Sequence, residues 1–549
     1  MLIKNYFQKL KENKTAVIFL AIMLVAIFLR TYDYSDLLRF GKDQARDAGI
    51  IQAIIAEKEP LPLLGPKAGG TDFKMGPIFY YFQYASAKIF GFSPVTVAFP
   101  DLLFSLLTLP LLFFFLKKYF NARVSLALTA LYAVSFFAVQ NSRFAWNPNS
   151  LPLFSLLFLY AFLELVSPVQ KRKILWAVIC GIAIGVGVQL HTLYIMVALP
   201  VFILFSLYLM KKKLLALKNF ALVICFALIL NVPQIVFEAK TNGQNARAFF
   251  TGITQKSEER PEAHLSFPLN FFTAALWHGQ AGNMFLSGSG SDTDSSFLSL
   301  ADELSDNKKG IEGIVEHAPD IIILLLETIL FFGGCAVLIY FWRKETDGQK
   351  RIFLQLNFFY IAASFLVLIP LSHVLMLRYF LILQFVPFLL LGLVFKFLEE
   401  KYGKKTLIGF FVIVIFFGWL NVSKIYREFR DFSLGKGDVG IAIWSEQKIL
   451  GDFILAHSSP DQKLWFVFEP LSAHKFIRPL AYFRDDISFS PLANDSAPLE
   501  EENVAYFTLI LDKDKEEKAF KKRFQKSGQY EIENSMSHGR FKIFKLKLK

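Results

Sequence analysis

The stretch Phe40-Gly41-Lys42-Asp43-Gln44-Ala45-Arg46-Asp47-Ala48 follows directly on the first apolar run of the chain. That run reaches Leu29, is preceded by Lys4, Lys9, Lys11 and Lys14, and gives way to Arg30-Thr31-Tyr32-Asp33. Its length is near that of a signal-peptide core, yet no small-x-small cleavage site follows it. It is therefore read as a retained span with a basic cytoplasmic start. The quoted stretch is then the first polar segment beyond the membrane. On a helix, Asp43 and Asp47 at i and i+4 share one face.

The composition agrees with a membrane setting. The chain has 549 residues, of which 54% are hydrophobic and 19% charged, and its mean hydropathy is +0.42. Apolar runs recur through the first 424 residues, which marks a polytopic α-helical membrane protein. After the first, spans are expected at about 95–116, 124–140, 150–167, 173–190, 192–210, 219–237, 320–342, 352–371, 374–396 and 406–422, about eleven in all. Alternate loops are basic: Lys117/Lys118/Arg123, Lys171/Arg172/Lys173, Lys211 to Lys218, Arg343 to Arg351, and Lys396 to Lys405. The loops between them carry a single base, Arg143. This alternation places the N-terminus inside and the C-terminus outside the plasma membrane. The net charge of +13 is thus a topology signal, and nucleic acid is not an expected partner. Cys180, Cys225 and Cys335 all fall in apolar runs and form neither a disulfide framework nor a metal set.

Two domains follow, a transmembrane one over 1–424 and an extracytoplasmic α/β one over 425–549. The first holds two long outer loops, 33–93 and 238–319. Loop 33–93 contains an expected helix from Asp43 to Glu57, turn signals, and then Lys74-Met75-Gly76-Pro77-Ile78-Phe79-Tyr80-Tyr81, whose aromatics suit the membrane interface. Loop 238–319 is read as polar, with a flexible Ser287-Gly288-Ser289-Gly290-Ser291-Asp292 stretch; it is either a lid or disordered. In the tail, 464–468 and 506–511 read as buried strands, 541–546 as an edge strand, and 444–457 and 515–525 as helices.

A carboxylate at a membrane surface can deprotonate a hydroxyl, and a placed general base is worth about 10²–10⁴ in rate. Asp43 is the candidate; the bland alternative is an acid at the positive end of a helix. A polyprenyl-phosphate sugar supplies a leaving group that needs no acid. One base with direct attack then predicts inversion at the anomeric carbon. Lys74 is a candidate phosphate contact, against an ordinary interfacial lysine. Arg378 stands at the outer edge of a span, where a bidentate hold on a phosphate or a snorkelling anchor would each explain it. Tyr379 adds a hydroxyl donor. Arg143 and Trp146-Asn147-Pro148-Asn149 either shape the site or cap the next helix. His191, His373, Glu238 and Glu327 complete the polar inventory near the spans.

The order of these features resembles the GT-C glycosyltransferases, in particular the family of protein O-mannosyltransferases and the lipid A aminoarabinose transferase. The resemblance covers most of residues 15–424 by topology. Such members carry an acidic pair early in the first outer loop, where Asp43-Gln44 stands here; Gln44 departs from the acid and argues against a metal held by adjacent carboxylates. Lys74-Met75-Gly76-Pro77 and its aromatics match a later stretch without its first proline. Arg378-Tyr379 followed by Pro387, and Ser142-Arg143, match two more. The resemblance implies Asp43 as catalytic base. It also implies substrate contacts at Lys74, Arg378, Tyr379 and Arg143, to which the shared helix face adds Asp47. The expected partners are a polyprenyl-phosphate sugar donor, a lipid-, glycan- or protein-linked acceptor, and membrane lipid. No cofactor is called for; a divalent metal is allowed but not indicated. A transporter or lipid flippase, or a non-catalytic scaffold, is the competing reading, though central charges are few and no repeat is seen.

Overall fold

A computed structural model describes residues 14–254, 267–290, 318–467, 474–484, 487–489, 503–511 and 513–549. All eleven expected apolar stretches are helical. Eight, from Lys14–Thr31 to Thr406–Ser433, are long and apolar enough to cross a membrane. Two more, Leu217–Leu230 with Val232–Lys240 and Leu377–Leu383 with Val386–Tyr402, are bent by 64° and 55°. The eleventh, Ala122–Ala133, is shorter, and a break at Val134-Ser135 separates it from Phe136–Asn141.

The bends have local causes. Pro233 and Pro387 sit in the first turn of their second helices, where a proline cannot continue the preceding hydrogen-bond ladder. At the first bend the Asn231 amide donates to the carbonyls of Ala227 at 2.8 Å and Gly185 at 3.0 Å. At the second, Leu377–Leu383 is wound as a 3₁₀ helix, so Arg378 and Tyr379 precede the regular span on a separate turn. Small residues bring the helices close. A side chain at Gly181 or Gly185 would meet the backbone at Val223 or Ala227 on the facing helix, the close approach that small-xxx-small spacing permits.

The segment 238–319 departs from the expected polar loop. It contains the helices Gln244–Thr254 and Phe267–Ser287. The second has no charged residue and buries much of its surface against the Ala318–Lys344 span. There Gly279 abuts Thr328, and Asn283 donates to Glu327 at 2.6 Å. A helix of mixed Ala, Gly and aromatic residues lacks the hydropathy of a span, which is why it reads as loop. Residues 255–266 and 291–317, with the end of the Ser/Gly stretch and most of any lid, lie outside the described residues, as do Lys4, Lys9 and Lys11.

The helix Thr406–Ser433 runs on past residue 425 into the C-terminal domain. That domain holds a five-stranded sheet in the order β2-β1-β3-β5-β4, with β1 Lys463–Phe466, β2 Ile487–Phe489, β3 Val504–Leu511, β4 Tyr530–His538 and β5 Phe541–Leu548. β1 is parallel to β2 and β3, while β5 is antiparallel to β3 and β4. The expected edge strand is therefore interior. β5 pairs on both sides, and the mostly exposed β4 takes the edge. The helices Trp444–Ala456 and Lys513–Ser527 stand where the sequence places them.

Candidate functional site

The Lys42–Ile55 helix starts at Gly41, whose amide donates to Gln44 Oε1 at 3.0 Å. Asp43 lies in its first turn, and its side chain is 45% exposed. Its Oδ1 accepts from Arg46 at 2.9 Å. Asp47, one turn on, is wholly buried. It accepts from Arg46 Nε at 2.9 Å and from the Tyr80 hydroxyl at 3.0 Å. Arg46 thus ties the two carboxylates that share its helix face. Burial outweighs the guanidinium beside it and pushes Asp47 up to about 6. Its Oδ2 is buried with no hydrogen bond, which suits a carboxyl that holds its proton into mildly acidic conditions. Asp47, expected among substrate contacts, is instead placed to hold Arg46.

Lys74 stands on a hairpin. Ala68 N donates to Phe73 O at 2.8 Å, Met75 N to Pro66 O at 2.9 Å and Gly65 N to Met75 O at 2.8 Å. A Cβ at Gly65 would strike the Gly76 carbonyl, and one at Gly76 would strike Gln189. Both glycines are required by close approach. The following helix, Ile78–Phe90, hangs on Gln189, whose Oε1 accepts from Ile78 N at 3.2 Å. Asn245, at the start of Gln244–Thr254, clasps the Lys74 backbone: it accepts from Lys74 N at 2.8 Å and donates to Lys74 O at 3.0 Å. Glu238 turns to the same helix, accepting from Ala246 N at 3.2 Å. The Lys74 side chain is left exposed.

Arg378 comes next to this hairpin. Its guanidinium lies 3.7 Å from where a Cβ on Gly69 would stand. It is 5.9 Å from the centre of the Trp146 ring and 5.4 Å from that of Tyr379. No ion pair or hydrogen bond engages it among the described residues, an open invitation to an anion at a half-buried cation. Trp146 links this end to the acidic helix, because Gln44 Nε2 donates to Ala145 O, the preceding residue, at 3.0 Å. The loop is braced from below by buried Asp101, which accepts from Trp146 N at 3.1 Å and Ser150 Oγ at 2.7 Å. Tyr379 faces His191 edge-on at 5.6 Å, and His191 Nδ1 accepts from Leu193 N at 3.2 Å.

Arg143 is placed otherwise than expected. It is 3% exposed and donates to the carbonyls of Arg30 at 3.0 Å, Asp33 at 3.1 Å and Leu29 at 3.5 Å. It closes the C-terminal end of the first span and stacks over Tyr34 and Phe429, so its guanidinium has no face left for a substrate. Asn147 and Asn149 do not cap by side chain; their amides donate to Leu190 O at 2.6 Å and Phe144 O at 2.9 Å. No group of three or more His, Cys, Asp or Glu is disposed to hold a metal among the described residues. Asn245, Tyr80 and Gln189 escaped the sequence reading. Each bonds a residue far away in the chain, and no local spacing announces such a contact.

Comparison with known proteins adds a second line. A family model, "Dolichyl-phosphate-mannose-protein mannosyltransferase", matches residues 74–237. It begins at Lys74 and takes in the Trp146 loop and His191, but not Asp43 or Arg378. "Putative mannosyltransferase YkcB" of Bacillus subtilis (strain 168) is 26% identical over 234 residues, 41% of this chain. The match spans 31% of that relative's length. The apo structure of ArnT from Cupriavidus metallidurans aligns at 15% identity and a TM-score of 0.45, covering 96% of this chain and 97% of that one. The apo structure of the Archaeoglobus fulgidus oligosaccharyltransferase aligns at 14% identity and a TM-score of 0.49, covering 92% and 70%. The chain is a polytopic membrane protein, similar over residues 74–237 to a family of mannosyltransferases.

Proposed function

We propose that this protein transfers a sugar, with inversion, from a polyprenyl-phosphate donor to an acceptor hydroxyl on the outer face of the membrane. Asp43 is the general base. Its Oδ1 is occupied by Arg46, while no hydrogen bond to its Oδ2 is found among the described residues, and the side chain is half open to solvent. An acceptor hydroxyl on that oxygen gives up its proton as its oxygen attacks the anomeric carbon. The C–O bond to phosphate breaks, and the electron pair leaves with the polyprenyl phosphate.

Charge on that phosphate rises from one negative to two as it departs. Arg378 and Lys74 are the groups that meet this charge, with the Tyr379 hydroxyl beside them. A cation that binds the departing phosphate more tightly than the bound donor lowers the barrier, not only the donor's KM. Asp47 and Tyr80 act through Arg46, fixing where Asp43 sits. The basic loops at the opposite end of the bundle support this topology, with the C-terminal domain on the outer side.

The observation that carries the reading is the linkage through Trp146. The acidic helix bonds the residue before it, and Arg378, which lies over its ring, stands beside Gly69 on the hairpin that bears Lys74. One short loop thus lies against both the helix of the proposed base and Arg378, which supports the reading. The test is transfer from radiolabelled polyprenyl-phosphate sugars to membrane extracts by the purified protein. Labelled product with the anomeric configuration opposite to the donor's supports the reading. Retained configuration, or no transfer from any donor, overturns it.

A further inference from the structure

The approach to the acidic helix is not held by the membrane-spanning region alone. Residues 36–40 lie alongside the chain that enters the Trp444–Ala456 helix of the C-terminal domain. Arg39 and Ile443 form an antiparallel bridge. Phe40 N donates to Ala442 O at 2.9 Å, and Trp444 N donates to Leu38 O at 2.7 Å. Ser445 Oγ donates to Asp36 O at 2.8 Å.

The side chains complete the grip. Phe40 is 1% exposed. Its ring meets Trp444 edge-on at 4.9 Å and Tyr482 edge-on at 5.5 Å. Trp444 in turn stacks on Phe483 at 5.8 Å. Beneath it, Glu446 and Arg540 form an ion pair at 2.6 Å with side chains only 5% and 4% exposed. This pair ties the Trp444 helix to the turn between β4 and β5. A phenylalanine in such an aromatic box resists displacement, since edge-on ring pairs attract beyond what their buried area supplies. Only Gly41 and Lys42 separate Phe40 from Asp43. Gly41 alone would let that junction swing; the box removes the freedom.

We propose that Trp444 and Tyr482 are positioning residues for the reaction: from the C-terminal domain they fix Phe40, and through it the first helical turn that carries Asp43. The inference rests on the reading of Asp43 as the base. It gives the C-terminal domain a task in turnover that its own surface, which carries no substrate group in this account, does not reveal. Phosphate contacts at Lys74 and Arg378 lie on other segments, so donor binding should be spared.

The test pairs hydrogen exchange with kinetics on the full-length protein in detergent. Trp444→Ala should speed amide exchange across residues 40–47 by about tenfold or more as the local opening becomes easier. It should lower kcat roughly 10–100-fold, the scale of a misplaced catalytic group, with donor KM within about twofold. Trp444→Phe should restore both readouts. Ile532→Ala, on exposed β4, should change neither. Tyr482→Ala attacks the box from its other wall and carries the same expectation should Trp444→Ala not fold. Unchanged exchange over 40–47 in both box variants refutes the clamp, whether or not sugar is transferred. Faster exchange with unaltered kcat refutes the positioning role. Faster exchange in a protein whose wild type moves no sugar supports the contact and overturns the reading of Asp43, and the positioning role with it.

Discussion

Replacing Arg378 probes the proposed phosphate grip most sharply. The guanidinium is half-buried, lies over the rings of Trp146 and Tyr379 and beside Gly69, and lacks a carboxylate partner among the described residues. No ion pair or hydrogen bond among the described residues uses its charge, so Arg378→Ala should cost no more than about 1 kcal/mol of stability, the loss of its packing. Its contribution to turnover is different. A hydrogen bond to a charged group is worth about 1.5–3 kcal/mol, and two parallel bonds from one fork reach one phosphate. Loss of both, against a leaving group that gains a full charge, predicts a fall in kcat/KM of roughly 10²–10⁴-fold. Most of it should appear in kcat. Arg378→Lys keeps the charge but loses the fork and the flat face over Trp146, and should lose about tenfold. If Lys74 grips the same phosphate, Arg378→Ala and Lys74→Ala will be non-additive in a double-mutant cycle, by about 0.5–3 kcal/mol. The assay is steady-state transfer from a defined polyprenyl-phosphate sugar, with thermal melts to confirm folding. An Arg378→Ala protein within threefold of wild-type kcat/KM would refute the reasoning.

Asn245→Ala frees the hairpin backbone at Lys74 and should raise donor KM several-fold with kcat less affected, read by the same kinetics. Burial holds Asp47 up near 6 against an ordinary 3.8. The folded form therefore keeps its proton to higher pH than the unfolded chain, and this contribution to stability is full below about 3.8 and lost as pH rises through 6. Asp47→Asn should flatten that part of the profile, worth up to about 3 kcal/mol, in melts from pH 4 to 7; a slope identical to wild type contradicts it. Arg143→Ala leaves the end of the first span unbonded and a cavity among Tyr34 and Phe429, and should cost roughly 2–4 kcal/mol of stability. The folded fraction should keep its donor KM, since no substrate contact is lost.

Periodicity and apolar length made the spanning helices legible, because a helix in lipid must satisfy its backbone within itself and so announces its length. What escaped was the Phe267–Ser287 helix. It is neutral and only moderately apolar, and is stabilised by Gly279 and Gly282 lying flat against Thr328 and Phe331, a contact no local pattern encodes. Phe541-Lys542-Ile543-Phe544-Lys545 alternates as an edge strand would, yet β5 is interior; the alternation arises from its two faces, not from an open side. Among the candidate site residues, Asp43 and Lys74 stand out as charges in the first outer loop and Arg378 as one at the outer edge of a span. Arg143 stood out for the same reason, yet its charge is spent on carbonyls of the first span. A cation near a helix C-terminus has two uses, and only the fold separates them. Asn245, Tyr80 and Trp444 were silent, since each serves by reaching another part of the chain.

The central claim is that Asp43 removes the acceptor's proton. Asp43→Asn keeps the size of the side chain and its hydrogen bond from Arg46 while removing the basicity. The decisive measurement sets sugar transfer beside donor binding in this one variant. Transfer should fall by about 10²–10⁴-fold while the donor binds within about twofold of wild type. Transfer at the wild-type rate would contradict the account.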